Sequence, residues 1–237
     1  MDDLPINFGD FREMESSIKL KYISTEEKNE NASLKNISFS IDRGESIAIL
    51  RSNYKDESFN KLRELLVGSL QPSSGIVRIT ELVNDLGNLT TLFHSNASGR
   101  KNIYMCCSAL GMDKLEVDVI EDDIINLSGL EQCIDDSVKH YSEEMRSQLA
   151  LAISFFLKGK ILIFDQTLQI ENEEYLQKTK KKIEEFLHAK GTFVLFTDSI
   201  QMARNLCSRG MLIQNGHLVV DDIIDSTLEA LQISAEG

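Results

Sequence analysis

The sequence has no excess of positive charge, no long apolar run, and no cysteine or histidine pattern spaced for a metal. Lys and Arg number 25 against 38 Asp and Glu, a formal charge of −13 over 237 residues. That balance argues against a duplex nucleic-acid partner and against an anionic membrane surface. No apolar run approaches the roughly 18 residues that a membrane span requires, and no apolar leader core follows Met1. Membrane association is therefore expected only through a partner. Cys106, Cys107, Cys133 and Cys207 lack ligand spacing and read as reduced core thiols of a cytosolic protein. His94, His140, His188 and His217 are scattered, so a metal centre is not expected. Nucleophile elbow, Rossmann fingerprint and internal repeat are all missing.

What is present is an alternation of strands and helices. Ile161-Leu162-Ile163-Phe164 is a run of four apolar residues closed by Asp165, which reads as a strand buried on both faces with an acid at its end. Ser46–Leu50 and Thr192–Phe196 read as further buried strands, whereas Ser17–Ile23 and Leu34–Ile41 alternate as one-face strands of an antiparallel pair. A polar loop, residues 51–57, follows the first buried strand and leads into a helix with apolar Phe59, Leu62, Leu65, Leu66 and Leu70. Strand, loop and helix in that order place backbone N–H groups and a helix dipole where an anion can bind. Gln71–Gly75 is a turn, and Ile76–Ile79 a short strand.

Between residues 82 and 140 the clearest elements are helices at 100–110 and 114–127, with the acidic run 116–123 as a solvated helix face. Ser142 is placed to cap a helix running to Leu157. Helices at 173–189, 199–206 and 224–231 and a hairpin across Gln214-Asn215-Gly216 complete the chain. Residues 178–182, with four lysines, read as an exposed helix face.

Five stretches stand in a telling order: residues 34–39, 71–75, 99–104, 141–146 and the strand ending in Asp165. On these, the chain from Ile18 onward resembles the nucleotide-binding subunit of an ABC transporter. Gly99-Arg100-Lys101-Asn102-Ile103-Tyr104, and a signature that begins Tyr141-Ser142 and ends Met145-Arg146, are similar to the branch exporting polysaccharides, teichoic acids and O-antigens. The resemblance implies an α/β fold of P-loop NTPase type with a mostly parallel core sheet, an N-terminal antiparallel β subdomain and a helical subdomain at about 95–150. Residues 1–15 would be a loose extension and 16–237 the nucleotide-binding domain. It further implies ATP and Mg²⁺ as cofactors, a membrane permease of polysaccharide-exporter type as partner, and assembly as a homodimer or a heterodimer. No nucleic acid is expected, and the location would be cytoplasmic, at the inner face of the membrane through the permease.

By the same resemblance Ser58 and Asp165 would serve Mg²⁺, Ser58 and Ser142 would touch phosphate, and Tyr22 either stacks on adenine or is a half-buried strand aromatic. The sequence departs from the family at the remaining stations. Its phosphate loop, G-x-x-x-x-G-K-[ST], needs glycines for amide approach and a lysine for charge. Here Arg51 and Asp56 stand at glycine positions, Tyr54 at another, and Glu57 at the lysine, with Lys55 two positions early. Each carboxylate held about 4 Å from a phosphate charge costs about 4 kcal/mol at an effective dielectric near 20. Gln166 replaces the catalytic glutamate, Asp198 the switch histidine, Glu143-Glu144 small signature residues, and Glu171-Asn172 the Gly-Asp that follows the acidic strand. The expectation is a cassette subunit with little or no ATPase activity. Two alternatives stand beside it: a silent scaffold or regulatory module without a permease, and hydrolysis retained through an altered loop.

Overall fold

The computed structural model describes residues 16–25, 33–165, 170 and 172–236. The expected loose extension, residues 1–15, lies outside them, as do Gln166 and Glu171. Strands β1 (Ser16–Ser24), β2 (Ile37–Asp42) and β4 (Ser74–Ile79) form an antiparallel sheet in the order β2-β1-β4. A six-stranded sheet has the order β5-β6-β7-β3-β8-β9, from β5 (Val83–Asp85), β6 (Ile161–Phe164), β7 (Thr192–Phe196), β3 (Ser46–Arg51), β8 (Arg209–Gln214) and β9 (His217–Ile223). Its strands are parallel except β9, which returns antiparallel to β8. The helices are α1 (Ser58–Leu66), α2 (Leu86–Thr91), α3 (Gly99–Ala109), α4 (Lys114–Ser128), α5 (Glu143–Phe156), α6 (Glu173–His188), α7 (Ile200–Leu206) and α8 (Ile224–Glu236).

The uninterrupted apolar runs are explained by two cores. In β3, Ala48 and Leu50 join a cluster with the helices, while Ile47 and Ile49 join one shared with α1 and the antiparallel sheet. β6 divides the same way, Leu162 and Phe164 against Ile161 and Ile163, as period-two alternation demands when both faces are covered. Among the described residues, no helix is long and apolar enough to cross a membrane.

Several expectations needed correcting. β2 begins at Ile37 rather than Leu34, whose amide donates to Thr25 Oγ1. α1 stops at Leu66, because Gly68 takes φ +80° and turns the chain before Leu70. β5 and α2 were not foreseen, since three residues as polar as Val83-Asn84-Asp85 carry no period. The strand at residues 76–79 extends back to Ser74 and pairs with β1 outside the core sheet. Cys106, Cys107 and Cys207 are buried, Cys133 is partly exposed, and all four are free thiols.

The Gly99–Tyr104 stretch organises the helical segment. Ser98 caps α3, and a side chain on Gly99 would meet the Tyr141 hydroxyl. Arg100 donates to Glu121 on α4 (2.6 Å) and to Asp135 (2.7 Å). Asn102, with no exposed surface, donates to the carbonyls of His94 (3.2 Å) and Ser98 (2.9 Å) and accepts from the His94 amide (2.7 Å). Truncation would orphan those buried groups. Asn102→Ala is therefore expected to lower unfolding free energy by about 2–3 kcal/mol, read by urea denaturation.

Candidate functional site

The ends of β3, β6 and β7 lie on one edge of the core sheet, where open α/β folds bind ligands. Arg51 ends β3, Asp165 follows β6, and Asp198 follows β7. Arg51 runs to Asp198: Nε donates to Oδ1 at 3.0 Å and Nη2 to Oδ2 at 2.8 Å. The guanidinium lies 4.7 Å above the Phe59 ring, which itself meets Phe196 edge to face at 5.1 Å. A bidentate guanidinium–carboxylate pair stacked on an aromatic has little freedom left. The residues at the family's first glycine and switch histidine positions are thus bound to each other.

The loop between β3 and α1 directs its amides inward. Lys55 N–H donates to Asn53 Oδ1 (2.9 Å), Asp56 N–H to the Asn53 carbonyl (2.9 Å), and Ser58 N–H to Asp56 Oδ1 (3.0 Å). Asp56 is buried, and its second oxygen accepts from the Asn215 amide at 2.7 Å. Ser58, wholly buried, donates its hydroxyl to Asp56 Oδ1 and accepts from the Gly216 amide at 3.1 Å. Asn215 and Gly216 both have positive φ, as the tight turn between β8 and β9 requires. Glu57 is exposed at the start of α1, and Lys55 is exposed with its ammonium 5.7 Å from the Tyr54 ring.

Asp165 belongs to a third cluster. Arg63 of α1 reaches it at 3.4 Å and pairs with Asp85 of β5 through the same nitrogen. Asp85 is almost fully buried; burial pushes its carboxyl above the usual range, with Arg63 opposing and Asp165 adding to the rise. Among the described residues, Arg63 Nε and Asp85 Oδ2 are buried without a partner. A Cβ at Gly87 would stand 2.6 Å from Arg63 Nη2 and 3.0 Å from Asp165 Oδ2, so glycine leaves the room this pair occupies.

The other expected positions lie apart. Tyr22 is 60% exposed, not half-buried, because positive φ bulges β1 there. Its ammonium neighbour Lys21 sits 5.6 Å from the ring. Ser142 caps α5 by accepting from Met145 N–H at 3.1 Å, with Glu143 and Glu144 in the first turn, where the helix dipole favours acids. Asn172 caps α6. Gln166 lies outside the described residues. Ser58 and Asp165, the expected Mg²⁺ pair, are held by different partners: Ser58 by Asp56 and Gly216, Asp165 by Arg63. Arg63, Asp85 and Gly87 were missed in the sequence. The one signal was an arginine directly beside Leu62 on the apolar stripe of α1.

No family model matches the chain. It is similar to the O-antigen export system ATP-binding protein RfbB of Myxococcus xanthus, 29% identical over 214 residues, covering 89% of this chain and 48% of that protein. A protein of the same name from Klebsiella pneumoniae is 30% identical over 186 residues, covering 78% of this chain and 74% of that one. The teichoic acids export ATP-binding protein TagH of Enterococcus faecalis is 31% identical over 185 residues, covering 78% and 41% respectively. The chain thus spans about half the length of the first and under half of the last. Among solved structures, an ATP-binding subunit of an ABC transporter superimposes with TM-score 0.77 at 16% identity, covering 94% of this chain and 100% of that one. A dimeric ATP-binding cassette with ADP and Pi superimposes with TM-score 0.73 at 16% identity, over 87% and 98%. At that identity the likeness carries the architecture alone.

Two outcomes are expected of the arginine–carboxylate cluster. Arg63→Leu leaves a buried carboxylate without its cation and should cost about 3 kcal/mol in urea denaturation, much of it recovered in Arg63→Leu/Asp85→Leu. Asp85 binds its proton more tightly folded than unfolded, so proton uptake favours the folded state as pH falls through its folded pKa. The stability of the wild type relative to Asp85→Asn should therefore rise on acidification from neutral pH, measured by thermal unfolding across that range.

Proposed function

The chain belongs to the family of ATP-binding subunits of ABC transporters, among the relatives of the O-antigen and teichoic-acid export ATP-binding proteins, and from that premise we propose a subunit of a polysaccharide-export transporter that does not itself bind or hydrolyse ATP. Residues 16–237 serve as the cassette domain, with a helical subdomain at about 95–150. The partners are a membrane permease of polysaccharide-exporter type and a second cassette subunit, either another copy or a paralogue. Such a protein works at the cytoplasmic face of the membrane, held there by the permease.

The observation that carries the reading is the Asp56 carboxylate inside the loop that would hold phosphate. It takes up the Ser58 amide and hydroxyl and the Asn215 amide. A family member presents such donors to the nucleotide; here an internal anion already uses them. The residues present do not fit the triphosphate or its Mg²⁺. Glu57 stands where a lysine would neutralise charge, the Ser58 hydroxyl is committed to Asp56, and Asp165 faces a guanidinium rather than an open coordination place. With Arg51 bonded to Asp198, five positions of the nucleotide site, residues 51, 56, 58, 165 and 198, hold protein partners. What the family's fold retains is its helical segment and capped signature helix, the parts that dock.

Equilibrium titration with a fluorescent ATP analogue and Mg²⁺ should show no saturable binding up to millimolar concentration, and thermal unfolding should not move with MgATP. A ligand at 100 times its Kd would raise stability by about 2.7 kcal/mol, a shift that is easily seen. Saturable binding abolished by Asp165→Ala would overturn the proposal. Conversely, Arg51→Gly/Tyr54→Gly/Asp56→Gly/Glu57→Lys should gain an MgATP-dependent shift. Co-expression with a candidate permease should give co-purification, and a chain that never associates with a multi-span protein is a scaffold of another kind.

A further inference from the structure

We propose that the groove between α4 and α6 binds a small phosphorylated compound carrying hydroxyl groups, a sugar phosphate in chemical class. In a chain of net −13, four of the five residues 178–182 are lysines. Lys178, Lys181 and Lys182, at i, i+3 and i+4, line one hollow of about 410 Å³. Lysines at that spacing repel one another, a repulsion that Glu174 and Glu185 offset in part and that a bound anion would relieve further. Lys180 does not line the hollow.

Lys178, Lys180 and Lys181 are exposed, as expected of this run, and Lys182 turns toward the hollow. Lys182 is partly buried, with Nζ 4.6 Å from the centre of the Phe156 ring. The ion pairs that Lys178 and Lys182 make, to Glu174 and Glu185, are both 3.4 Å long. Charge-assisted bonds run nearer 2.7–2.9 Å, so these contacts exchange readily for a better acceptor. Among the described residues Lys181 has no ion pair. A doubly charged phosphate offers such acceptors to several ammoniums at once.

The remaining lining selects within phosphates. Asp123 and Asn126 of α4 and Glu185 of α6 face the same hollow. The Asp123 and Glu185 carboxylates disfavour a bare polyanion, and with the Asn126 amide oxygen they accept hydrogen bonds from hydroxyl groups. Leu127 and Phe156 supply an apolar wall for a carbon face. Cation, acceptor and apolar surface together match a hydroxylated organic phosphate better than a bare anion.

Isothermal titration of the full chain with glucose 6-phosphate tests this at low salt, with inorganic phosphate and phosphatidylglycerol vesicles as separate arms. Saturable binding of the sugar phosphate is expected, at least tenfold weaker in Lys178→Gln/Lys181→Gln/Lys182→Gln and unchanged in Lys180→Gln. Asp123→Asn should weaken the sugar phosphate relative to inorganic phosphate. Each of three outcomes overturns the proposal: no saturation by the sugar phosphate, equal affinity in the triple variant and Lys180→Gln, or binding to vesicles alone. Circular dichroism on each variant establishes that it is folded before its affinity is compared. The groove shares no residue with the loop 51–58, so sugar-phosphate binding and ATP binding are tested independently.

Discussion

A carboxylate removed from water must find donors or a cation, and the sheet edge of this protein is arranged around that requirement. Asp56 is buried in the loop after β3 and receives three bonds, from the Ser58 amide, the Ser58 hydroxyl and the Asn215 amide. Those bonds tie the loop to the start of α1 and to the β8–β9 turn, two places far apart in sequence. The turn in turn receives Lys35 N–H on the Gly216 carbonyl, at 2.8 Å. One acid therefore fixes the conformation of three segments. Because its charge sits at a helix N-terminus among N–H groups, it stands where a phosphate oxygen stands in a phosphate-binding loop.

The same logic recurs on either side. Asp198 receives both bonds of the Arg51 guanidinium, and Arg51, a bulky cation at a glycine position, is held by Asp198 and the Phe59 ring. Asp165 and Asp85 are two carboxylates that share Arg63. At Arg51 and Asp198 a departure from the family's residue is matched by a second one that accepts it. A loop that had only lost its function would accumulate changes without such pairing. Here Arg51 and Asp198 complement each other in charge, and the Phe59 ring completes their packing.

How much of this was legible in the sequence follows from which signals are local. The buried strands β3, β6 and β7 announced themselves as apolar runs, the Asn215-Gly216 hairpin by its dipeptide, and the α5 cap by Ser142. The departures at Arg51, Asp56, Glu57 and Asp198 were equally plain. Their partners were not. Asp56 to Asn215 spans 159 residues and Arg51 to Asp198 spans 147, distances over which no periodicity speaks. From the sequence Asp56 looks like a charge aimed at a ligand, whereas folded it is turned inward. β5 was hidden because three residues cannot show a pattern, and with it went Asp85 and the reason Arg63 sits on the buried side of α1.

The contrast between the two halves of the molecule bears on what the protein retains. In the helical segment, Gly99 leaves room for the Tyr141 hydroxyl, Arg100 joins α3 to α4 and to Asp135, and Asn102 closes the turn from His94 to Ser98. None of those contacts needs a nucleotide, and all of them use the residues by which the chain resembles its family. At the sheet edge Ser58 and Asp165 stand at the family's positions, and both, like Arg51 and Asp198 beside them, are engaged by other side chains. A fold that must cycle between ligand-bound states keeps its loop amides available and its strand ends open, because binding energy has to come from groups that the empty state leaves unsatisfied. Here the amides of Lys55, Asp56 and Ser58 all have internal acceptors. A ligand would first have to break those bonds, and the difference in affinity that drives a conformational change would shrink by their worth. In the structure the shape of the loop is set by contacts among the protein's own residues.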